Sequence, residues 1–492
     1  MKFYSTRDVD QKKFDSALVI KQGLADDGGL FIPESIPTLT EADINELAKM
    51  SYPERAAKIL SLYLTDYTYD ELISDCKNAY CENSFPGGAA PLKKINDNVY
   101  SLELWHGPTA AFKDMALQIM PRLLSRALVK TGEDKTALIL VATSGDTGKA
   151  ALEGYKDIDR IKIMVFYPES GVSKVQKLQM ATQTGNNVNV CAIKGNFDDA
   201  QTGVKKIFSD AEAHKVFADN SYILSSANSI NWGRLVPQIV YYVSAYCDMM
   251  NSGEIKYGET VNVCVPTGNF GNIFAAYLAK LMGLPIDKFI CASNANNVLT
   301  DFLRTGTYNR NRPFHLTMSP SMDILISSNL ERLLCFVAGT NETRKYMKAL
   351  SENGEYTVDD EVKAAISKNF VGYYADEKLT SEVLKKYYEE YNYLADTHTS
   401  VALACAEQYM KEEKDNNKII VASTASPYKF AADVYKSITC KSATSDTDAL
   451  DELSALTNTE ITYPLRNLTD RKVNFTTVIN SEDMLKEVYK FM

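Results

Sequence analysis

One lysine, Lys113, stands between an aromatic residue and an aspartate in the stretch WHGPTAAFKDMALQ, downstream of a Gly-Pro turn. Alanines and a phenylalanine precede it, and apolar residues follow it at helical spacing. The pattern predicts a helix buried on much of its surface, with Asp114 as its cap and Pro121 at a kink or a first turn. Burial lowers the pKa of an amine, and such an amine can form a Schiff base. The alternative is a solvated surface lysine at the mouth of a helix.

Three loops that follow predicted strands could hold an anion. PTGNFGN, residues 266 to 272, has successive amides ahead of a predicted helix that could bind a phosphate, and an ordinary turn is equally compatible. It matches neither the dinucleotide motif nor the nucleoside-triphosphate motif. ATSGDTGKAA, residues 142 to 151, suits a carboxylate, although capping by Ser144 or Asp146 is the simpler interpretation. STASPYKF, residues 423 to 430, offers two hydroxyls, and a turn into a helix is again simpler.

The elements that must position these loops are alternating strands and helices. Short apolar runs, each followed by a turn and an amphipathic segment, predict parallel sheets covered by helices on both faces: TALILVA, KIMVFY, NVNVCAI, TVNVCV and KIIVA. Ligands bind beyond the carboxyl ends of such strands. We expect a mostly helical region at residues 1 to 92, an α/β region with the lysine loop and the substrate loop at 93 to 255, and an α/β region with the phosphate loop at 256 to 492. Within the last, residues 305 to 395 are an elaboration.

Composition and charge exclude several classes of protein. The 492 residues are 45% hydrophobic and 24% charged, which is typical of a globular chain, and the net charge of -10 argues against nucleic acid as a partner. No apolar run is long enough to cross a bilayer, and MKFYSTRDVDQKKF lacks the apolar core of a secretory signal, so we expect a cytoplasmic protein that does not bind membranes. Nine dispersed cysteines and four distant histidines predict reduced thiols and no metal site.

A buried lysine and a phosphate-binding loop at neighbouring strand ends indicate a phosphorylated aldehyde held as an imine, and pyridoxal phosphate fits that description. Nearly end to end, the chain resembles the threonine synthases of the longer bacterial and fungal type, which are fold type II pyridoxal-phosphate enzymes. The resemblance rests on FYSTRD, GLADDGGLFIPESIP, WHGPTAAFKD, ATSGDTGKAA, SSANSINWGR, VPTGNFGN, SPSMDILISSNLERL, DTHTSVALA and STASPYKF. It implies a fold like that of the tryptophan synthase β chain: an α/β protein with two doubly wound, mainly parallel-sheet domains and a helical N-terminal region.

The resemblance also implies roles for individual residues. Lys113 corresponds to the lysine that bonds the cofactor, and Thr424 to the threonine that faces the pyridine nitrogen. The cofactor phosphate is assigned to Gly268, Asn269, Phe270, Gly271 and Asn272. Candidates for binding the substrate are Thr143, Ser144 and Thr147 in one loop, and Lys174, Asn228, Ser229, Asn231 and Arg234 for the leaving phosphate. Lys174 and Arg234 rank first among these because a buried phosphate needs cations.

Two positions depart from the family's pattern near Thr424. Ser426 stands where the family commonly has histidine, and Tyr428 where it has alanine. We therefore expect a changed pocket wall beside Thr424.

The implied reaction converts O-phospho-L-homoserine and water to L-threonine and phosphate by γ-elimination and β-hydration, the last step of threonine biosynthesis. One alternative is another fold type II enzyme, such as a serine or threonine dehydratase. A second is a non-catalytic homologue that binds phosphorylated ligands. The SANSIN segment and the long N-terminal region favour threonine synthase over a dehydratase. For the assembly, we expect a monomer or a homodimer.

Overall fold

Helices dominate the first ninety residues of the computed structural model, which describes residues 1–143, 145–170 and 172–492. Capping boxes at Thr40 and Thr68 begin two of these helices, because each threonine and the acidic residue three positions later satisfy one another's backbone amides. The region contains β1 (Phe3–Ser5), α1 (Ser16–Gln22), β2 (Phe31–Pro33), α2 (Glu41–Ala48), α3 (Tyr52–Tyr63), α4 (Tyr69–Ala79) and β3 (Leu92–Lys94).

The middle of the chain alternates strands and helices, as the apolar runs predict. Its elements are β4 (Val99–Glu103), α5 (Asp114–Leu117), α6 (Met120–Lys130), β5 (Thr136–Ala142), α7 (Asp146–Tyr155), β6 (Ile161–Pro168), α8 (Lys174–Ala181), β7 (Val188–Lys194), α9 (Phe197–Ser209), α10 (Ala211–Asp219), β8 (Tyr222–Ser225), α11 (Trp232–Leu235) and α12 (Pro237–Asn251).

The remainder continues the alternation around a longer, irregular stretch. Its elements are β9 (Val261–Pro266), α13 (Gly271–Leu281), β10 (Ile286–Ser293), α14 (Val298–Thr305), β11 (Thr307–Asn309), α15 (Leu330–Asn353, broken at Gly339), β12 (Glu355–Thr357), α16 (Asp360–Ser367), β13 (Phe370–Tyr374), α17 (Glu377–Tyr391), α18 (Thr397–Glu413), β14 (Lys418–Ser423), α19 (Ala431–Thr439), α20 (Asp448–Thr457), β15 (Val478–Asn480) and α21 (Met484–Phe491).

Two sheets carry the predicted strands. The smaller has the order β15-β7-β6-β5-β8 and is parallel throughout. The larger has the order β13-β10-β9-β14-β4-β3, and only its β3–β4 pair is antiparallel. The central strands are buried almost without interruption, as strands covered on both faces are. The predicted α/β class with parallel sheets is confirmed.

Each sheet draws strands from both sides of residue 255. β4 joins the larger sheet by pairing with β14, and β15 joins the smaller one by pairing with β7. The elaboration at residues 305 to 395 supplies β13 to the edge of the larger sheet. The division into residues 1–92, 93–255 and 256–492 stays a prediction about folding units.

The order of the larger sheet brings three loops together. β9, β14 and β4 are neighbours and run parallel, so the loops that follow them open at the same edge. These loops contain the phosphate-loop candidate, the STASPYKF segment and Lys113. The TSGDTG loop follows β5 and belongs to the other sheet.

The helix after Lys113 differs from the prediction of one buried helix capped by Asp114. There are two helices, because Pro121 has no N–H to donate to the carbonyl of Leu117, where α5 ends. Pro121 lies in the first turn of α6, one of the two predicted positions. Asp114 begins α5 without capping it, and its carboxylate accepts hydrogen bonds from the amide and hydroxyl of Thr109 at 2.8 and 2.7 Å.

All nine cysteines are free, and seven of them are buried. Among the helices of the described residues, none is long and apolar enough to cross a membrane.

Candidate active site

Lys113 is held by contacts between two loops of the larger sheet. The amide of Phe112 donates to the carbonyl of Thr424 at 2.8 Å, and the amide of Ser426 donates to the carbonyl of Ala110 at 3.0 Å. These bonds flank the isolated bridge between Ala111 and Ala425. The loop after β4 is therefore fixed to the loop after β14 one residue before the lysine.

The Lys113 side chain is 12% exposed and lies against charged neighbours. Burial lowers the pKa of Lys113, the carboxylate of Asp146 opposes that change, and the cations Lys429 and Arg234 add to it. The predicted desolvated amine is therefore present, since the net direction is towards a lower pKa. Such an amine is suited to attack a carbonyl and to accept and return protons.

Asp146 is the carboxylate at the centre of the site. Its Oδ2 lies 3.5 Å from Nζ of Lys113, and its Oδ1 lies 3.0 Å from Nζ of Lys429. Gln176 donates to Oδ1 and Ser321 donates to Oδ2, each at 2.8 Å. Burial alone would raise the pKa of Asp146, but the nearby cations, Lys429 first, hold that pKa well below its usual range.

The capping role that the sequence favours for Asp146 is therefore wrong. Gly145 is the N-cap of α7, and Asp146 is the first residue of the helix. The hydroxyl of Thr143 accepts hydrogen bonds from the amides of Gly145 and Gly148 at 3.0 Å each, so it satisfies two backbone donors at the start of this helix. The Asp146 carboxylate is left to bind the two lysines.

Ser321 connects Lys113 to a buried histidine. Its hydroxyl lies 3.3 Å from Nζ of Lys113, and its amide donates to Nε2 of His398 at 3.1 Å. Nδ1 of His398 lies 2.8 Å from Oδ2 of Asp396. Because Nε2 accepts the amide of Ser321, the ring proton lies on Nδ1 and is donated to Asp396.

The loop after β9 presents free amides at the start of α13. Phe270 has left-handed backbone angles, with φ of 61°, and the amides of residues 268 to 272 make no hydrogen bond to the described protein. The loop carbonyls bind elsewhere, because Ser327 donates to Gly268 at 2.6 Å and the amide of Asn329 donates to Asn269 at 3.0 Å. Unpaired amides at a helix N-terminus form an anion-binding site.

This amide cradle lies next to the lysine. A Cβ atom added at Gly268 would lie 2.9 Å from the carbonyl oxygen of Ser321, the residue whose hydroxyl contacts Lys113. A larger residue at position 268 would therefore push the loop away from Ser321. The close approach explains a glycine here.

Two further polar groups near the cradle lack protein partners. The Nδ2 atom of Asn272 is buried and makes no hydrogen bond, although its Oδ1 accepts the Tyr242 hydroxyl. Thr424 is 6% exposed, and its hydroxyl makes no hydrogen bond within the described chain. A buried polar group without a partner is costly unless a ligand completes it. A buried lysine, free amides, an amide donor and a hydroxyl together fit pyridoxal phosphate.

Two cations, Arg234 and Lys174, are among the predicted phosphate ligands, and Arg234 is the buried one. One of its terminal nitrogens donates to the carbonyl of Ala227, its Nε is buried without a partner, and no described carboxylate lies within ion-pair distance of it. Burial lowers the pKa of Arg234 to about 10, which leaves it charged at neutral pH. Its positive charge also contributes to the lowered pKa of Lys113.

The other predicted substrate residues differ in their surroundings. Asn231 uses both ends of its amide within the protein, accepting from Gly233 at 2.8 Å and donating to the Ile20 carbonyl at 2.9 Å. Asn228 and Lys174 are exposed, Ser229 and Thr147 are half-buried, and Ser144 lies outside the described residues. Lys174 makes no ion pair in the described chain.

Sequence reasoning missed four residues that surround Lys113. Gln176 carried no signal beyond its place in the segment after KIMVFY, whereas Ser321 lies in SPSMDILISSNLERL, one of the stretches that carry the resemblance. His398 lies in DTHTS and Lys429 in STASPYKF, so both were within recognised stretches. A lysine among apolar residues directly after a buried strand was the available signal for Lys429.

The side chains at the two departures from the family's pattern make hydrogen bonds to the segment of residues 459 to 462. The Ser426 hydroxyl contacts that of Thr462, and the Tyr428 hydroxyl lies 2.8 Å from the carbonyl of Thr459. Tyr428 lines a separate cavity of about 610 Å³ together with Trp105. The expected change in the pocket wall therefore involves residues 459 to 462.

Family models match three consecutive parts of the chain. Residues 2–80 match "Threonine synthase N terminus", residues 88–425 match "Pyridoxal-phosphate dependent enzyme", and residues 399–488 match "Threonine synthase, C-terminal". Together they span both sheets and the helical region.

Individual relatives agree with these models. Human threonine synthase-like 1 is 40% identical over 89% of this chain, and the chain spans only 61% of that relative's length. Threonine synthase from Saccharomyces cerevisiae is 36% identical over 87% of each sequence. A crystal structure of a PLP-bound threonine synthase from Brucella melitensis is 35% identical, with a TM-score of 0.88 over 100% of this chain and 98% of that one.

Proposed function

Because the chain belongs to the threonine synthase family of pyridoxal-phosphate-dependent enzymes, we propose that it converts O-phospho-L-homoserine and water to L-threonine and phosphate. The observation that carries the proposal is the charge of the site. Lys113 and Lys429 flank one carboxylate, Asp146, and Arg234 is a third cation whose charge acts on Lys113. Such an excess of positive charge suits a substrate that bears both a carboxylate and a phosphate.

Pyridoxal phosphate, when bound, supplies an electron sink for the substrate's α-carbon. Lys113 would hold its aldehyde carbon, and the amides of Gly268, Asn269, Phe270, Gly271 and Asn272 would hold its phosphate. The hydroxyl of Thr424 would donate to the pyridine nitrogen. These assignments are supported by the unpaired amides, by the unpaired Nδ2 of Asn272 and by the partner-free hydroxyl of Thr424.

Lys113 is the proton carrier in this proposal. With cofactor and substrate bound, its Nζ would take up the protons that leave the α- and β-carbons. It would return one to the γ-carbon, from which the phosphate departs, and one to the α-carbon, while water supplies its hydroxide to the β-carbon and its remaining proton to the phosphate. A lowered pKa favours the unprotonated amine, which is the form that can accept a proton. Ser321 orients Nζ, since its hydroxyl lies between Lys113 and Asp146 at 3.3 and 2.8 Å.

Arg234 would bind the substrate phosphate, because it is a buried cation with no carboxylate of its own. The loop of Thr143, Ser144 and Thr147 would bind the substrate carboxylate. Lys174, Asn228 and Ser229 would contribute to phosphate binding only by approaching Arg234 when substrate is present, since two of them are exposed in this state. Asn231 would act by holding the start of α11, where Arg234 lies.

The deciding experiment is a comparison of substrates. We expect the purified enzyme with pyridoxal phosphate to release threonine and phosphate in equal amounts from phosphohomoserine, and to act poorly on serine. Faster release of pyruvate from serine would instead identify a dehydratase. Binding of phosphohomoserine without turnover would identify a non-catalytic homologue.

Nine free cysteines support a reducing compartment, and we propose the cytoplasm. A monomer or a homodimer remains the prediction for the assembly, and light scattering would distinguish them.

A further inference from the structure

A second lysine, Lys429, is buried near Lys113, and the function proposed above gives it no contact with the cofactor or the substrate. Its side chain is fully buried in the short turn Pro427–Phe430 that follows β14. Nζ of Lys429 lies 3.0 Å from Oδ1 of Asp146 and donates to the carbonyl of Thr109 at 2.8 Å. A buried ammonium group is costly and stays charged only where an anion compensates it.

On its other side, Asp146 faces Lys113, whose charge changes during the proposed reaction. In the proposed function, Lys113 alternates between a charged amine, a neutral base and a group bonded to the cofactor. If Lys113 were the only cation near Asp146, the buried carboxylate would lose its partner at each of these changes. It would then take up a proton or move towards water.

The two carboxylate oxygens of Asp146 have different partners, so the carboxylate keeps a cation when the charge on Lys113 changes. Oδ1 receives Lys429 and Gln176, while Oδ2 receives Ser321 and faces Lys113. Half of the carboxylate is therefore bound by groups that take no part in proton transfer.

We propose that Lys429 is a positioning residue, a second cation that keeps Asp146 ionised and in place while the charge on Lys113 changes. The inference rests on the proposed role of Lys113 in holding the cofactor. It does not depend on which substrate the enzyme converts.

The sign of the effect on Lys113 follows from the charges around it. Lys429 and Arg234 repel a proton on Lys113, and Asp146 attracts one. His398 reaches the cluster through the amide of Ser321 and presents an unprotonated Nε2 there. Removing the charge of Lys429 therefore makes Lys113 easier to protonate, and removing the charge of Asp146 makes it harder.

The test is a pH titration of the visible absorbance of the holoenzyme with pyridoxal phosphate bound. Compared with the wild type, we expect Lys429→Met to move the transition to higher pH by about one unit, and Lys429→Arg to restore much of the wild-type position. With substrate, Lys429→Met should lower kcat by a larger factor than it changes KM. The pH at which kcat rises should also move to a higher value. These variants separate charge from packing, because Arg keeps the first and Met mainly the second.

Lys149 provides the matched control. It is also a buried lysine, and it pairs with Glu153 at 2.9 Å without contacting Asp146. We expect Lys149→Met to destabilise the protein without moving the titration. An unmoved transition in Lys429→Met, or an equal movement in Lys149→Met, would overturn the proposal.

If Lys429→Met does not fold, the opposite variant decides. Asp146→Asn should move the transition of the holoenzyme to lower pH, and an unchanged transition would refute the constant charge that we assign to Asp146. The absorbance titration needs no substrate, so a protein that failed to make threonine would still report on Lys429.

Discussion

The amide of Phe112 donates a 2.8 Å hydrogen bond to the carbonyl of Thr424. The residue next to Lys113, the proposed catalytic lysine, is thus bonded to the residue that the proposed function places against the pyridine nitrogen. One bond between two loops sets the separation of the two groups that would hold opposite sides of the cofactor ring. Precise positioning of this kind is what rigid strand ends provide.

Lys113 is expected to carry the cofactor. Borohydride reduction of the holoenzyme should fix pyridoxal phosphate to Lys113, and mass spectrometry of peptides should locate the label there. Lys113→Ala should lose this label and nearly all turnover while the protein still folds. Lys149→Ala serves as the control, and a label on Lys149 or Lys429 would show that the assignment is wrong.

Thr424 is expected to decide which products form. A hydroxyl can donate to the ring nitrogen but carries no charge, whereas a carboxylate raises the pKa of that nitrogen by charge pairing. Thr424→Asp should bind the cofactor but release less threonine and more 2-oxobutyrate, as measured by chromatography. Thr424→Ser keeps the hydroxyl and should resemble the wild type. Unchanged products from the Asp variant would mean that another group faces the nitrogen.

Arg234 is expected to lower the stability of the ligand-free protein and to strengthen the binding of substrate. A buried guanidinium without a carboxylate is destabilising, so Arg234→Met should raise the free energy of unfolding of the ligand-free protein by about 1–2 kcal/mol. The same variant should bind phosphohomoserine at least about tenfold more weakly, with cofactor affinity little changed.

Thermal unfolding with inorganic phosphate provides the control for Arg234. In the holoenzyme, where the amides of residues 268 to 272 would already hold the cofactor phosphate, inorganic phosphate should raise the Tm of the wild type and leave that of Arg234→Met unchanged. Equal stabilisation of the two proteins would place the phosphate elsewhere.

Asp114 is expected to make stability depend on pH. Burial raises the pKa of Asp114 to about 6, although hydrogen bonds from Thr109 and the charge of Lys429 oppose it. A raised pKa in the folded state means that stability is greatest at low pH and is lost as pH rises through about 6, by on the order of 3 kcal/mol in total. Asp114→Asn should lack this loss.

Urea unfolding measures the Asp114 effect. Other carboxylates also titrate in this range, so the informative quantity is the difference in unfolding free energy between variant and wild type. Between about pH 4 and pH 7, the free energy of unfolding of Asp114→Asn should rise relative to that of the wild type. A constant difference would show that Asp114 is ionised across the range.

Much of the fold could be predicted because its signals are local. The strands of both sheets are short apolar runs bounded by turns, and the phosphate-loop candidate is recognisable from its own glycines and asparagines. The break between α5 and α6 also had a local cause in Pro121, but apolar periodicity continues through it and conceals it.

The centre of the site could not be predicted in this way. Asp146 follows a strand of the smaller sheet, whereas Lys113 and Lys429 follow strands of the larger one. Their contact depends on how the two sheets meet, and no spacing within the chain encodes that. Ser321 comes from an irregular stretch, so its position also follows from tertiary structure alone.

The exchange of strands between the sheets has a consequence for synthesis of the protein on the ribosome. β7 is complete once residue 194 has emerged, but its outer neighbour β15 is made only when residues 478–480 appear. During that interval the nascent chain exposes the unpaired edge of an apolar strand, VNVCAIK, which other strands could join. The smaller sheet therefore keeps an open strand edge until residues 478–480 have been translated, and protection by a chaperone would be useful during that interval.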